Sequence, residues 1–402
     1  MDKVIKKLIA QLGKTGWTVS SSTDRKTVMK GADFIVNCIE VSGVGCVRFD
    51  NDIPLKYGVS QCIGDTIGPG GIFKGLRTIP SWLAILSDAE KLCPNALVLN
   101  YTNPMSMMCT AAARASKMPV VGLCHSVQGS SHGLAKWFDV PYEEVNWECA
   151  GINHLAWFIK FEHKGKDLYP AMIKKAKKEI ETHKGNWDEV KDLVRKDMMI
   201  HFGAYITESS GHLSEYLPYY RKRAELIKKY CGPKYEGQES FYADEWPGWR
   251  IAADNQRKKW LTGEEPMGWE RSWEYASWII EANIKDSPFR IHGNVPNTQD
   301  GSDALIPNIL HDGVVEVPVM IDRRGFNPVR VGKLPQTMAA ICDSNVRVFD
   351  IAADAAVNKS VELTVQAMML DPLCSAVLSP AEIRAMTLDM FKAEKKFLPG
   401  YK

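Results

Sequence analysis

The sequence predicts an α/β fold, with a parallel sheet in its first third and a mixed, helix-rich α+β region behind it. Three observations carry this. Short runs rich in Val, Ile and Leu, ADFIVNCIE (32–40), NALVLNY (95–101) and MPVVGLC (118–124), read as buried strands. Between the last two lies PMSMMCTAAARASK (104–117), helical by its Ala and Met content, with Pro104 suited to a first turn. Strand, helix, strand at this spacing is a βαβ unit, and hence a parallel pair. Beyond residue 150 the pattern changes. Long charged helices are expected at 174–183, 187–196 and 271–285, a strand at 314–321 (VVEVPVMI), and mostly helix over 337–397. Two domains are expected, 1–150 and 151–402.

The front of the chain departs from the usual order. A dinucleotide-binding domain opens with a strand, a G-x-G-x-x-G turn and a helix, then an acidic residue after the second strand. Here the first residues read as an amphipathic helix and a short strand, WTVSSS (17–22). TDRKTVMKGADFIVNCI then resembles the helix and third strand of such a domain. The sheet is therefore read as Rossmann-like but truncated at its N-terminus by roughly 30–40 residues. Poor NAD affinity is the expectation that goes with this.

Composition narrows the function. The chain has 402 residues, 45% hydrophobic, enough for one large or two ordinary cores. A formal charge of +2 with acids and bases interspersed gives nucleic acid no patch to bind. KKAKK (174–178) is followed by acids and reads as a solvated helix face. Ten cysteines without a C-x-x-C pair argue for reduced thiols and a cytoplasmic protein. The N-terminus lacks a signal peptide's apolar core, and no stretch approaches the ~20 apolar residues of a membrane span.

Four stretches carry candidate chemistry. In GDTIGPGGIFKGLRTIP (64–80) the GPGG turn, with Gly70, can cradle an anion or a sugar hydroxyl at a helix start, or simply be a tight turn. Asp65 before it is a cap, or a carboxylate that tunes a nearby base. In LNYTNP (99–104), Asn100 and Asn103 end a strand and suit a diol, or form a turn and a helix cap. VGLCHS (121–126) sets Cys124 and His125 at another strand end, and CAGINHLAW (149–157) does the same for Asn153 and His154. A thiolate and an imidazole from neighbouring strand ends make two ligands of one divalent ion, leaving positions open for substrate. The alternative is a core cysteine and a surface histidine. YITESSGHLSEYLPYYRK (205–222) crowds Glu208, His212, Glu215, Tyr216, Tyr219 and Tyr220 into one turn-like stretch. It is a polar loop, or the source of a general base.

Taken together and in this order, GDTIGPGGIFKGLRTIP, LNYTNPMSM, VGLCHSVQG, AGINHLAW and TESSGHLSEY resemble glycoside hydrolase family 4. The likeness is greatest to its bacterial α-galactosidase branch, with the α-galacturonidases a near alternative. It runs from about residue 24 to the closing DPLCSAVL (371–378) and FLPGYK (397–402). The resemblance implies a hydrolase that works by redox chemistry on a fold whose second domain is of the lactate/malate dehydrogenase C-terminal type. NAD takes hydride from the sugar's C3, and a divalent metal, Mn2+ above all, stabilises the enediolate formed when a base removes the C2 proton. The glycosidic oxygen then leaves C1, water adds, and hydride returns. This is the NAD-dependent exception to the paired-carboxylate route.

By the same resemblance, Cys124 and His154 match the metal ligands and Asn103 the substrate-binding asparagine. His125 is the candidate acid for the leaving oxygen, since imidazole serves near neutral pH. Tyr216 is the candidate base, with Glu208 or Tyr219 as alternatives, and Asp65 matches a carboxylate that raises its basicity. Asn153 and His212 are assigned to substrate, and Asn100 and Gly70 to the cofactor. An α-galactoside substrate and a homodimer or homotetramer are implied. Two departures stand out. Val47, with Arg48 beside it, falls where relatives acting on phosphorylated sugars carry an arginine, which favours an unphosphorylated sugar. Gly211 replaces a glutamate of the α-galactosidases. A sugar or hydroxy-acid dehydrogenase and an inactive shortened chain are the competing readings.

Overall fold

A computed structural model describes residues 1–298 and 302–402. Ten strands form one sheet: β1 (Phe34–Asn37), β2 (Leu97–Asn100), β3 (Val120–Leu123), β4 (Val145–Ile152), β5 (Leu155–His163), β6 (Lys166–Asp167), β7 (Tyr205–Ile206), β8 (Phe289–Pro296), β9 (Val314–Asp322) and β10 (Gly325–Pro328). The order is β1-β2-β3-β8-β9-β4-β5-β6, with β10 beside β9 and β7 beside β5. β1, β2 and β3 are parallel, as the βαβ reading requires, and the Met105–Ala115 helix crosses between the last two. All remaining pairings are antiparallel. The α/β class and its mixed second half are thus as expected. Residue 150, the expected domain boundary, lies inside β4, and the sheet runs through it.

The expected strand over 17–22 is absent, and Trp17 there is exposed. A strand needs a ladder, and β1 pairs only with β2. The helix expected at 187–196 lies later, at Leu193–Phe202, and ends on Gly203 in the left-handed region. The helix expected from 271 starts at Tyr275 and runs to Lys285. Two long helices run through an internal proline: Gly68–Leu92, expected to start at GPGG, continues past Pro80, and Phe241–Thr262, not expected from the sequence, continues past Pro247.

The core joins both halves. The Gly68–Leu92 helix is buried over most of its length and packs against the Gln336–Asn358 helix. Inside it, Arg77 is held between Asp50 at 2.6 Å and Glu394, three ionisable groups taken almost wholly out of water. Pairing offsets much of the cost of burying them, although Arg77 Nε and Glu394 Oε1 find no partner. The cluster ties the first helices to the chain's last turn, where the Tyr401 hydroxyl donates to the Leu76 carbonyl at 2.8 Å.

Candidate active site

The C-terminal ends of β3 and β4 meet here, the place where α/β folds receive ligands. Cys124 follows β3 directly, and His125 caps the helix Ser126–Trp137 that starts beside it. On the other side, Ile152 pairs with Leu155, so Asn153 and His154 form a two-residue hairpin turn between β4 and β5. His154 carries φ +62°, and Glu208, in the loop after β7, carries φ +74°. A glycine would take these angles without cost. Strain of this kind collects at functional sites.

The three side chains converge. Cys124 Sγ lies 3.3 Å from His154 Nε2, and His154 Nε2 lies 3.4 Å from Glu208 Oε2. One ligand atom from each falls within 4.8 Å of the others. A soft sulfur, an imidazole and a carboxylate, partly open, make a catalytic rather than a closed structural donor set. The electrostatics agree. Burial opposes a charge on His154, yet Glu208 and then Cys124 overcome it and push its pKa up to about 10. The pocket therefore wants a cation where those atoms meet. The expected pair of ligands is brought together, and Glu208, read only as an alternative base, joins them. One detail differs from expectation: β3 and β4 are not neighbours, because β8 and β9 lie between them.

Those intervening strands supply residues that sequence reasoning missed. Gly122 pairs with Asn294, Asn294 with Glu316, and Glu316 with Gly151, a row across four strands just below the ligand set. Gly122 must be glycine, since a Cβ there would fall 2.5 Å from Met105 Sδ and 2.9 Å from Asn294 Cβ. Asn294 Nδ2 donates to Gly122 O at 3.3 Å and to Glu316 Oε1 at 3.4 Å. Burial pushes the Glu316 carboxyl up to about 8, against the pull of His154 and Asn294. An acid raised in the folded state stabilises the fold fully below its unfolded pKa and loses that stability as pH rises through the folded value. Glu316→Gln, measured on metal-free protein, should therefore raise Tm more at pH 8 than at pH 5. A tenfold difference in proton affinity between the folded and unfolded chain corresponds to about 1.4 kcal/mol. An equal change at both pH values would refute the assignment.

Around the ligands stand the other expected residues. The Tyr216 hydroxyl is 3.4 Å from His154 Nδ1, and its ring is fully buried. Burial first, then Asp65, Glu208 and Glu215, hold its phenol well above the ordinary range. Asp65 accepts from Thr66 Oγ1 at 2.7 Å and faces Lys74 Nζ at 3.5 Å and His212 Nε2 at 3.9 Å. Burial opposes its charge, but Lys74 and His212 bring the carboxyl down to about 2. The His212 ring sits edge-on to His154, with centroids 4.7 Å apart. Asn153 is fully buried, and neither its Oδ1 nor its Nδ2 finds a partner. Orphaned buried amides of this kind call for a ligand. Asn103 is half-buried at the loop after β2. His125 is largely exposed, with Nδ1 3.4 Å from Glu274. Tyr219 points away from this cluster to the surface, 39% exposed.

Two expected cofactor residues turn inward. The Gly70 amide donates to Gln61 Oε1, and a Cβ there would lie 2.2 Å from Gly64 O. Asn100 is fully buried, accepts from Asn37 Nδ2 at 2.7 Å and donates to Thr102 O. The Gly70 amide and the Asn100 side chain are thus engaged within the fold. Among the described residues no G-x-G-x-x-G turn joins a strand to a helix. The two departures also find reasons. A Cβ on Gly211 would meet Tyr235 O at 2.6 Å and Gly237 N at 2.7 Å, so no side chain fits. Arg48 is spent on Asp244 at 2.6 Å, and Val47 is buried.

Comparison with known proteins gives this arrangement a context. Residues 1–140 match the family 4 glycosyl hydrolase model, and 149–374 match the family 4 glycosyl hydrolase C-terminal domain. An α-galactosidase of Bacillus subtilis (strain 168) is 38% identical, over 96% of this chain and 86% of that protein. An α-galactosidase of Rhizobium meliloti (strain 1021) is 35% identical, over 100% and 81%. An α-galacturonidase of Thermoanaerobacter italicus is 28% identical, over 96% and 86%. Among solved structures, a 6-phospho-α-glucosidase from gut microorganisms, in complex with NAD and Mn2+, superposes with a TM-score of 0.80 at 21% identity, covering 100% of this chain and 89% of that one. That likeness is one of fold.

Proposed function

The chain belongs to glycosyl hydrolase family 4, and on that premise we propose that it is a cytoplasmic, NAD- and Mn2+-dependent α-galactosidase working as a homodimer or homotetramer. The observation that carries this reading is the convergence of Cys124, His154 and Glu208 with the Tyr216 hydroxyl at the back of His154. Galactose is favoured over a charged sugar because the cations near the site are engaged. Lys74 faces Glu40 and Asp65, Arg195 pairs with Asp192, and Lys196 pairs with Glu179. The higher identity to α-galactosidases than to α-galacturonidases points the same way. No helix among the described residues is long and apolar enough to cross a membrane.

The ligand residues fit a divalent ion, whose positive charge there would acidify a C2 proton beside an oxidised C3. NAD, when bound, would supply the hydride acceptor that oxidises C3 and would return the hydride at the end, so the cycle carries no net redox change. In this reading Tyr216 accepts the C2 proton, and Asp65 keeps the phenolate basic. His125, on the open side, gives a proton to the departing oxygen. Asn103, Asn153 and His212 hold ring hydroxyls, which supplies the partners that Asn153 lacks within the fold.

The test is hydrolysis of melibiose or p-nitrophenyl α-galactoside with NAD, Mn2+ and a reductant. Cleavage should require all of them, and solvent deuterium should appear at C2 of the galactose. Cleavage that persists with a chelator and without nucleotide would overturn the reading. Stoichiometric net NADH would favour a dehydrogenase instead.

A further inference from the structure

One short turn of chain carries His212, Glu215 and Tyr216. His212 faces Asp65, and the Tyr216 hydroxyl faces His154. The Glu215 carboxylate is turned instead on a stretch of backbone. Its Oε1 accepts from the Cys62 amide, from the Ile63 amide at 2.7 Å and from the Gly64 amide at 3.3 Å, and its Oε2 lies 3.2 Å from that last nitrogen. Gly64 carries φ +61°. Three successive N–H groups aimed at one anion, with a left-handed residue among them, form a backbone nest. Glu215 is 1% exposed, so these bonds are made out of water, where an ionised acceptor is worth about twice a neutral one.

The same stretch is held from its other side. Arg221, also buried, donates from Nε to Ser60 O at 2.7 Å and from Nη2 to Ser60 Oγ at 2.7 Å. The Ser240 amide donates to Gln61 O at 2.8 Å, and the Tyr242 amide to Cys62 O at 2.9 Å. Asp65 is the next residue after the nest. Its carboxylate meets Lys74 only at 3.5 Å and His212 only at 3.9 Å, and its short bond is to Thr66, which moves with it. Side-chain contacts of that length do not fix a carboxylate, so its place depends on the backbone before it. Glu215 joins that backbone to the turn that carries Tyr216.

We propose that Glu215 is a positioning residue: it locks the 62–64 backbone onto the Tyr216 turn, and so fixes the Asp65 carboxylate relative to the Tyr216 hydroxyl. The role rests on the reading of the site as a glycosidase with Tyr216 as its base. It adds a residue that acts on the reaction through Asp65. The competing account is a buried carboxylate that does no more than satisfy three amides. The two accounts differ in how Glu215 and Asp65 couple.

The test uses two variants. Glu215→Gln keeps the shape and removes the charge, while Glu215→Asp keeps the charge and shortens the reach. With NAD, Mn2+ and reductant supplied, both should cut kcat on p-nitrophenyl α-galactoside by about 10–100-fold, as small misplacements near the chemistry do. KM and the Mn2+ Kd should each change by less than about threefold. Made in Asp65→Asn protein, the same substitutions should cost no more than about twofold. Losses that multiply across the two sites would mean that Glu215 serves the fold alone, and would overturn the proposal. A Glu215→Asp protein with the parent kcat would do the same, because charge and not reach would then matter. If Glu215→Gln does not fold, Glu215→Asp carries the comparison. A second measurement needs no turnover. Hydrogen exchange at the amides of 62–64 should quicken by about tenfold or more in Glu215→Gln, the effect of losing a charge-assisted bond. Unchanged exchange overturns the clamp. Parent protein that cleaves no α-galactoside overturns the glycosidase reading, and the exchange measurement then decides on the clamp by itself.

Discussion

Cys124→Ser is expected to lose more than about 100-fold in Mn2+ affinity and to fall to background in glycoside hydrolysis. The change is nearly isosteric, so folding should survive it. It exchanges a soft donor that binds metal as an anion for a neutral hydroxyl. The remaining ligands, His154 and Glu208, still face one another at 3.4 Å but leave a carboxylate–imidazole pair that a proton satisfies. Protons and metal compete for His154, whose pKa is already pushed up to about 10 by Glu208 and Cys124 against its burial. Raising pH from 6 to 8 should therefore tighten Mn2+ binding to the parent. Glu208→Gln should behave like Cys124→Ser in metal titrations, because it removes the other anionic donor. Calorimetric or paramagnetic-resonance titration with Mn2+ decides the matter. Cys124→Ser protein that binds the ion as tightly as the parent would remove Cys124 from the site.

Some of this arrangement is written locally in the chain, and some is not. β2 and β3 are short apolar runs, buried by helices, and a buried parallel strand announces itself that way, while β1 is an apolar run at the sheet edge with Val36 exposed. Cys124 and His154 follow such runs directly, so their positions at strand ends could be read from residues 118–124 and 149–154 alone. Glu208 could be noticed but not placed. Its backbone angle and its distance to His154 arise from packing the β7 loop against a hairpin turn far earlier in the chain, and no periodicity encodes that. The row from Gly122 to Gly151 is more remote still. Asn294 and Glu316 enter from strands much further downstream, inserted between β3 and β4. As sequence, Glu316 is one acidic residue in VVEVPVMI, and alternation would send it to solvent. It is buried because the start of β9, Val314 to Val317, is covered on both faces. GPGG left two readings open, a ligand cradle or a tight turn. A glycine-rich helix start suggests a ligand, but here Gly70 and Gly71 admit the Gly64–Thr66 backbone, with would-be Cβ contacts of 2.2 Å and 2.4 Å. The glycines serve a close crossing of the chain with itself.

Tyr216→Phe is expected to lower kcat by about 10²–10⁴-fold, the range for removing a positioned proton acceptor, and to abolish exchange of solvent deuterium into C2. The ring stays in place in this variant, since it packs edge-on against His154, His212 and Phe349. Mn2+ affinity should change little, because the hydroxyl faces His154 Nδ1 while the ligand atom is Nε2. The three candidate bases separate cleanly under this scheme. Tyr219→Phe, at a 39% exposed position, should retain parent activity. Glu208→Gln should lose metal together with activity. Tyr216→Phe alone should lose exchange while keeping metal. Asp65→Asn supplies the sign of the electrostatic effect. Burial and then the Asp65 carboxylate raise the Tyr216 phenol, so removing that charge lowers its pKa. The limb of the pH–rate profile that reports the base should move to lower pH, and the maximal rate should fall because a weaker base abstracts the proton. Movement of that limb to higher pH would mean that the titrating group is not this tyrosine.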